Sequence, residues 1–184
     1  MMTADRFNLI LDKYRDVVGT DSARARKIIM KLNYRNNFYL LHCIAQTYLD
    51  ESRFEDGNDK MRRQVDQRKW RMAEKYIIKS MKRDDDNAET LYTMGQIRKL
   101  GHQDHLAVYC FKRIIKLGVG RISSQQYSRG RDFARMLIND ARFELYRIYF
   151  YSDRDKSANY LSTYKEYLKR GVYTIYYPLK RFLL

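Results

Sequence analysis

The chain has 184 residues, 37 of them Lys or Arg and 22 Asp or Glu, for a formal charge of +15. One proline and eight glycines are too few for a turn-rich β-sandwich or barrel, and the abundant Lys, Arg, Leu, Ile, Ala and Met favour helix; the composition points to one all-α domain with a real core. The cation excess draws anions, whether acidic protein, nucleic acid or anionic membrane, while no run is apolar enough to span a bilayer and the charged opening MMTADRFNLILDKYRD has no signal-peptide core.

In chain order, Phe7, Ile10, Leu11, Tyr14, Val17 and Val18 share one face of a helix from about Thr3 to Val18, which Gly19 ends. Asp21 or Ser22 then caps a second helix carrying Ala23, Ile28, Ile29 and Leu32, which frays near Asn33 and Tyr34, and Asn36 or Asn37 caps a third. The third helix repeats the first. Leu41, Ile44, Ala45 and Tyr48 follow Phe7, Ile10, Leu11 and Tyr14 at a constant offset of about 34 residues. The segment ESRFEDGNDKMRRQVD is charged and helix-prone, so it is expected to lengthen this hairpin, turning at Gly57–Asn58. A fourth helix is then expected from about Asp59 to Arg83, with Met61, Val65, Met72, Ala73, Tyr76, Ile77 and Ser80 inward.

The stretch from Asn87 to Val119 reads as one complete helical hairpin. Leu91, Met94 and Gly95 recur on its first half, and Ala107, Cys110, Phe111, Ile114 and Ile115 on its second. Asp86 with Glu89 forms a capping-box pattern, and Gly101 and Gly118 stand where left-handed stops are needed. The run GVGRISSQQYSRGRD is loop-like, with room for helix to resume inside it. From Ala134, a long helix keeps Leu137, Ile138, Ala141, Leu145, Ile148 and Tyr149 on one face and ends at Ser152–Asp153. A last helix from about Lys156 to Arg170 presents Tyr160, Leu161, Tyr164, Tyr167 and Leu168 and stops at Gly171. The tail VYTIYYPLKRFLL is expected to lie extended over the last hairpin as a cap.

The offset of about 34 residues, with Leu91, Met94–Gly95, Ala107 and Phe111, resembles the tetratricopeptide repeat (TPR), in which a small residue on each helix lets two backbones approach. Arg98 stands where the pattern has an aromatic and Val119 where it has proline. The resemblance implies a right-handed α-solenoid of about four antiparallel helical hairpins, with units at 3–35, 36–86, 87–121 and 122–171 and a capping tail at 172–184. It also implies that the first helix of each hairpin lines a concave groove. Asn8, Asp12 and Arg15 fall there in the first unit, Tyr39, His42, Gln46 and Leu49 in the second, and Glu89, Tyr92, Gln96 and Lys99 in the third. A chaperone-type carboxylate clamp would need Lys and Asn where this chain has Asn8, Asp12 and Cys43. The function so implied is a non-catalytic scaffold that binds a peptide or helix in a groove of Tyr39, His42, Gln46, Tyr92, Gln96 and Lys99. An acidic partner would be steered by the basic surface of Arg62, Arg63, Arg68, Lys69 and Arg71.

No catalytic motif competes with this reading. His102 and His105 lack the further ligands of a zinc site, and Gly118-Val119-Gly120 follows a helix where nucleotide loops follow a strand, so no metal, cofactor or enzyme activity is expected. Cys43 and Cys110 lie far apart on apolar helix faces, which suits free thiols in a reducing, cytoplasmic setting. The alternative is a helical-repeat RNA-binding protein, in which some of the 17 tyrosines, concentrated in the C-terminal third, stack bases while Lys and Arg hold phosphates.

Overall fold

The computed structural model of the chain describes residues 4–53 and 65–176. Among these residues there are eight α-helices, one 3-10 turn and no strand, so the protein is all-α. They belong to two compact units, residues 1–85 and 86–184.

The first unit comprises α1 (Ala4–Val17), α2 (Ser22–Ile29), the 3-10 turn (Tyr34–Asn36), α3 (Phe38–Ser52) and α4 (Gln67–Met81). Three of its helices start at a side-chain cap: Asp21 accepts from Arg24 N, Asn37 from Leu40 N, and Asp66 from Arg68 N and Lys69 N. Because α2 and α4 both pack on α3, that helix is buried on most of its surface, through Leu40, Leu41, Cys43, Ile44, Ala45 and Leu49. The Arg26 guanidinium of α2 pairs with Glu51 of α3 at 2.8 Å and lies 3.9 Å from the Tyr48 ring centre. Ser80 of α4 donates to the Phe38 carbonyl at 2.8 Å, which ties the end of α4 to the start of α3.

Two sequence expectations fail in this unit. The second helix stops at Ile29, short of Asn33, and the 3-10 turn takes up the interval. The fourth helix starts at Gln67, not at Asp59, because Arg53 and Val65 meet in an isolated antiparallel bridge and Asp66 N donates to Ser52 O at 3.0 Å. Both strands of chain have left the helical conformation at that point, so the base of the expected extended hairpin is not helical. The turn at Gly57–Asn58 and the inward position of Met61 lie outside the described residues.

The second unit comprises α5 (Ala88–Leu100), α6 (Asp104–Ser123), α7 (Arg131–Tyr149) and α8 (Arg154–Lys169), each packed on its neighbour in sequence, with α5 also touching α7. In α5 every residue from Thr90 to Ile97 is buried. Gly95 makes this possible. A Cβ there would lie 2.7, 2.8 and 3.1 Å from atoms of the Phe111 ring, so the small residue admits the aromatic of α6.

The ends of these helices depart from expectation in instructive ways. The cap of α5 is Asn87, which accepts from Thr90 N at 3.0 Å, and not Asp86. The Asp86 carboxylate is instead engaged by Arg113 at 2.8 and 2.9 Å and by Arg121 at 2.6 Å. Gly101 has φ −84° and is not left-handed; His102, at φ 55°, takes that conformation. Gln103 N bonds Arg98 O and His102 N bonds Lys99 O, the paired bonds of a Schellman stop with a histidine in the usual glycine place. Gly118 does carry φ 71°, but helix resumes beyond it to Ser123, so the glycine makes a kink inside α6. Gly171, φ 79°, ends α8 with Val172 N on Tyr167 O and Gly171 N on Leu168 O, as the sequence predicts.

Two stability changes follow. Gly95→Ala gains about 1 kcal/mol of helix propensity and loses about 1–3 kcal/mol to overpacking, because the fully buried Phe111 ring cannot yield, so urea unfolding should register a net loss. A neutral or more stable variant would show that the ring slides aside. His102→Gly relieves a left-handed non-glycine residue and should stabilise the chain by up to about 1 kcal/mol in the same assay.

Candidate partner-binding site

The six residues expected to form one groove are divided between the two units. In the first, Tyr39 and His42 are buried, with ring centres 6.1 Å apart, and Gln46 donates to Asp50 at 2.8 Å. Burial pushes the Asp50 carboxyl up to about 6, opposed by the Arg53 charge and the Gln46 hydrogen bond. Leu49 is core, and Asp12 and Arg15 pair with each other at 2.9 Å. Of the expected basic surface, Arg68 and Arg71 are exposed on α4, Lys69 pairs with Glu51 at 3.0 Å, and Arg62 and Arg63 lie outside the described residues.

In the second unit Tyr92, Gln96 and Lys99 follow one another along one face of α5, at helical spacing. All three engage partners that periodicity alone does not reveal. Gln96 donates to Glu144 of α7 at 2.7 Å, Lys99 forms an ion pair with the same carboxylate, and Arg147 approaches it at 3.6 Å. Glu144 is wholly buried, so these groups replace the water it has lost. Toward solvent, Lys99 and Arg147 border a cleft of about 360 Å³ shared with Asp104 and the exposed Tyr151.

One turn earlier on α7 stands Asp140, also fully buried. Its Oδ2 accepts the main-chain N–H of Ile175 at 2.8 Å. The next residue, Tyr176, stacks on Tyr92 with ring centres 4.6 Å apart and planes 9° apart. The segment 172–176 thus lies against both α5 and α7. The sequence expects it over the last hairpin, and the contact with α5 is the difference: Tyr92 offers an aromatic face, and Asp140 an acceptor for an extended main chain.

Asp140 and Glu144 are the residues of this candidate site that periodicity passes over. Their signal is readable, since two carboxylates four residues apart share a helix face among the apolar residues from Leu137 to Leu145. Their partners on α5 and in the tail are not readable, because those contacts span 35 to 48 residues.

The titratable behaviour of the site centres on Asp140. Burial lifts its carboxyl to about 7 from an ordinary 3.8, the neighbouring Glu144 adds to the rise, and the N–H groups of Ile175 and Tyr176 oppose it. Burial also raises the Tyr164 phenol, with the Asp140 charge a smaller cause, so it stays protonated at neutral pH. Cys110 is pushed up to about 11 by burial, which keeps its thiol protonated and unreactive. Chemically the α5–α7 face offers a carboxylate acceptor for a main-chain N–H, an aromatic platform and a paired charge cluster. These suit recognition; no activated nucleophile accompanies them among the described residues. No His, Cys, Asp or Glu cluster there could hold a metal ion, and no described helix is long and apolar enough to cross a membrane.

Compared with known proteins, the chain matches no family model, no curated protein and no solved structure.

The shift of Asp140 sets a pH dependence. Its folded value lies above its unfolded one, so its stabilising effect is complete below about pH 4 and is lost as pH rises through about 7, where the folded chain must bury the ionised carboxylate. Asp140→Asn keeps an oxygen for Ile175 N–H and abolishes that loss. Relative to wild type, the variant should therefore gain on the order of 1–3 kcal/mol between pH 5 and pH 8 in urea melts. Parallel pH profiles for the two proteins would refute this account of Asp140.

Proposed function

We propose that the chain is a non-catalytic protein-interaction module that holds an extended segment of a partner protein across α5 and α7, with no cofactor. One observation carries the reading. The face already holds an extended segment, residues 172–176, by a main-chain hydrogen bond to Asp140 and an aromatic stack on Tyr92. Main-chain contacts of this kind supply affinity that is independent of sequence, and a ring platform supplies selection for an aromatic side chain. The TPR-like right-handed solenoid, with hairpins exposing the faces of their first helices, is the architecture this reading assumes. Tyr92, Gln96 and Lys99 share one face of α5, where residues 172–176 cover Tyr92 and α7 engages Gln96. The excess of 37 basic over 22 acidic residues favours an acidic partner and hastens its approach. A cytoplasmic location fits the two buried free thiols.

The test is affinity capture from a nuclease-treated cell extract at moderate salt, comparing wild type with Asp140→Ala, Tyr92→Ala and Tyr176→Ala, each first checked for its helical spectrum and melting point. Loss of a platform or acceptor group at a recognition site weakens binding by about tenfold or more, so a specific protein should be lost with Asp140→Ala and Tyr92→Ala. Tyr176→Ala should raise its capture, since the resident segment then competes less well. Capture indifferent to all three, or abolished by nuclease, would sink the proposal.

A further inference from the structure

The first unit carries a cleft of about 540 Å³ between the 3-10 turn, α3 and the last turns of α4. This is a volume typical of small-ligand sites. Four cations line it, Arg35, Lys79, Lys82 and Arg83, and no carboxylate does. Among the described residues none of the four is in an ion pair, whereas other basic side chains, such as Arg26, Arg113 and Arg129, have acidic partners. Arg83 is held in place. Its Nε and Nη2 donate to the Arg35 carbonyl at 3.2 and 2.8 Å, and Nη2 also donates to Asn36 Oδ1 at 2.9 Å. Four like charges around one recess repel one another until an anion enters, so the recess is preorganised for negative charge.

The wall beside these cations is aromatic. Tyr34 and Tyr76 both line the cleft, meeting edge to face with ring centres 6.4 Å apart, and Tyr76 is stacked in turn on Tyr48 at 5.8 Å and 10°. Lys79 Nζ lies 5.8 Å from the Tyr76 ring centre, so charge and ring share one end of the site. A simple anion would use the cations and leave the rings idle. A flat heterocycle joined to phosphate uses both.

We propose that this cleft binds a nucleotide, free or as one unit of a single strand, its phosphate among Arg35, Lys79, Lys82 and Arg83 and its base against the Tyr34–Tyr76 wall. The site belongs to the first unit and is independent of the α5–α7 face.

The test measures fluorescence anisotropy of a labelled single-stranded oligouridylate with the full chain, and repeats it with Lys79→Glu/Lys82→Glu, with Tyr34→Leu, and with Arg68→Glu/Arg71→Glu at the other end of α4. Lys79 and Lys82 are exposed, so their reversal leaves the core intact. Affinity should fall about tenfold or more with the cleft reversal and comparably with Tyr34→Leu, and much less with the control pair. Displacement of the probe by ATP would assign the cleft to free nucleotides, and resistance to ATP would assign it to strands. No binding, equal losses in cleft and control variants, or equal displacement by polyglutamate would overturn the proposal.

Discussion

A carboxylate removed from water must find its replacements within the protein, and Glu144 finds them on α5. Gln96 and Lys99 of α5 bind it, with Arg147 of its own helix at 3.6 Å, and the two bonds from α5 select one register of α5 against α7. Hydrophobic packing alone would be less demanding of the register between α5 and α7. The buried charge is more demanding, because a shift of one turn would part Glu144 from Gln96 and Lys99 and leave it only Arg147 of its own helix, at a cost of about 1–3 kcal/mol or more. The helix face that results is polar in a place where a helical hairpin otherwise presents core, and the same seam positions Asp140 to receive the main chain of the tail.

The first unit answers a similar need with shorter links. Thr47 and Ser52 return their hydroxyl protons to the carbonyls of Ile44 and Leu49 within α3, so they are buried at no loss of hydrogen bonding. Glu51 gathers Arg26 from α2 and Lys69 from α4, and so connects the two helices that flank α3. The cations left over at the end of α4 are those that line the recess beside Tyr76. Glu51, Asp86 and Glu144 are thus spent on joining helices, whereas the four cations of this recess have no carboxylate beside them among the described residues.

Local signals were the legible part of the fold. Asp21 and Asn37 are short polar residues before apolar periodic runs, and each caps its helix. Gly95 and Phe111 stand at the spacing of a close helix approach, and they meet. Errors arise where a distant group outbids a local pattern. Asp86 has the better capping-box sequence, but two arginines from α6 claim it, and the neighbouring asparagine caps instead. At Val65 and Asp66 helix propensity gives way to a backbone bridge with Arg53 and a bond from Asp66 N to Ser52 O. For the site, Tyr92, Gln96 and Lys99 are readable as one helix face because spacing alone defines it. Asp140 and the returning tail are not, since their pairing depends on which helices become neighbours.

The return of residues 172–176 to α5 also alters how the second unit comes apart. A stack of hairpins in which each helix touches its neighbours has free ends, and such arrays fray inward from them. Here the segment after the last helix is bonded to α7 and stacked on the first helix of the same unit. The linear array is closed into a loop of contacts, so that neither terminal helix can peel away without breaking a link to the other end. Local fraying is thereby exchanged for all-or-none unfolding, a cooperativity that the four helices would not possess as a simple row.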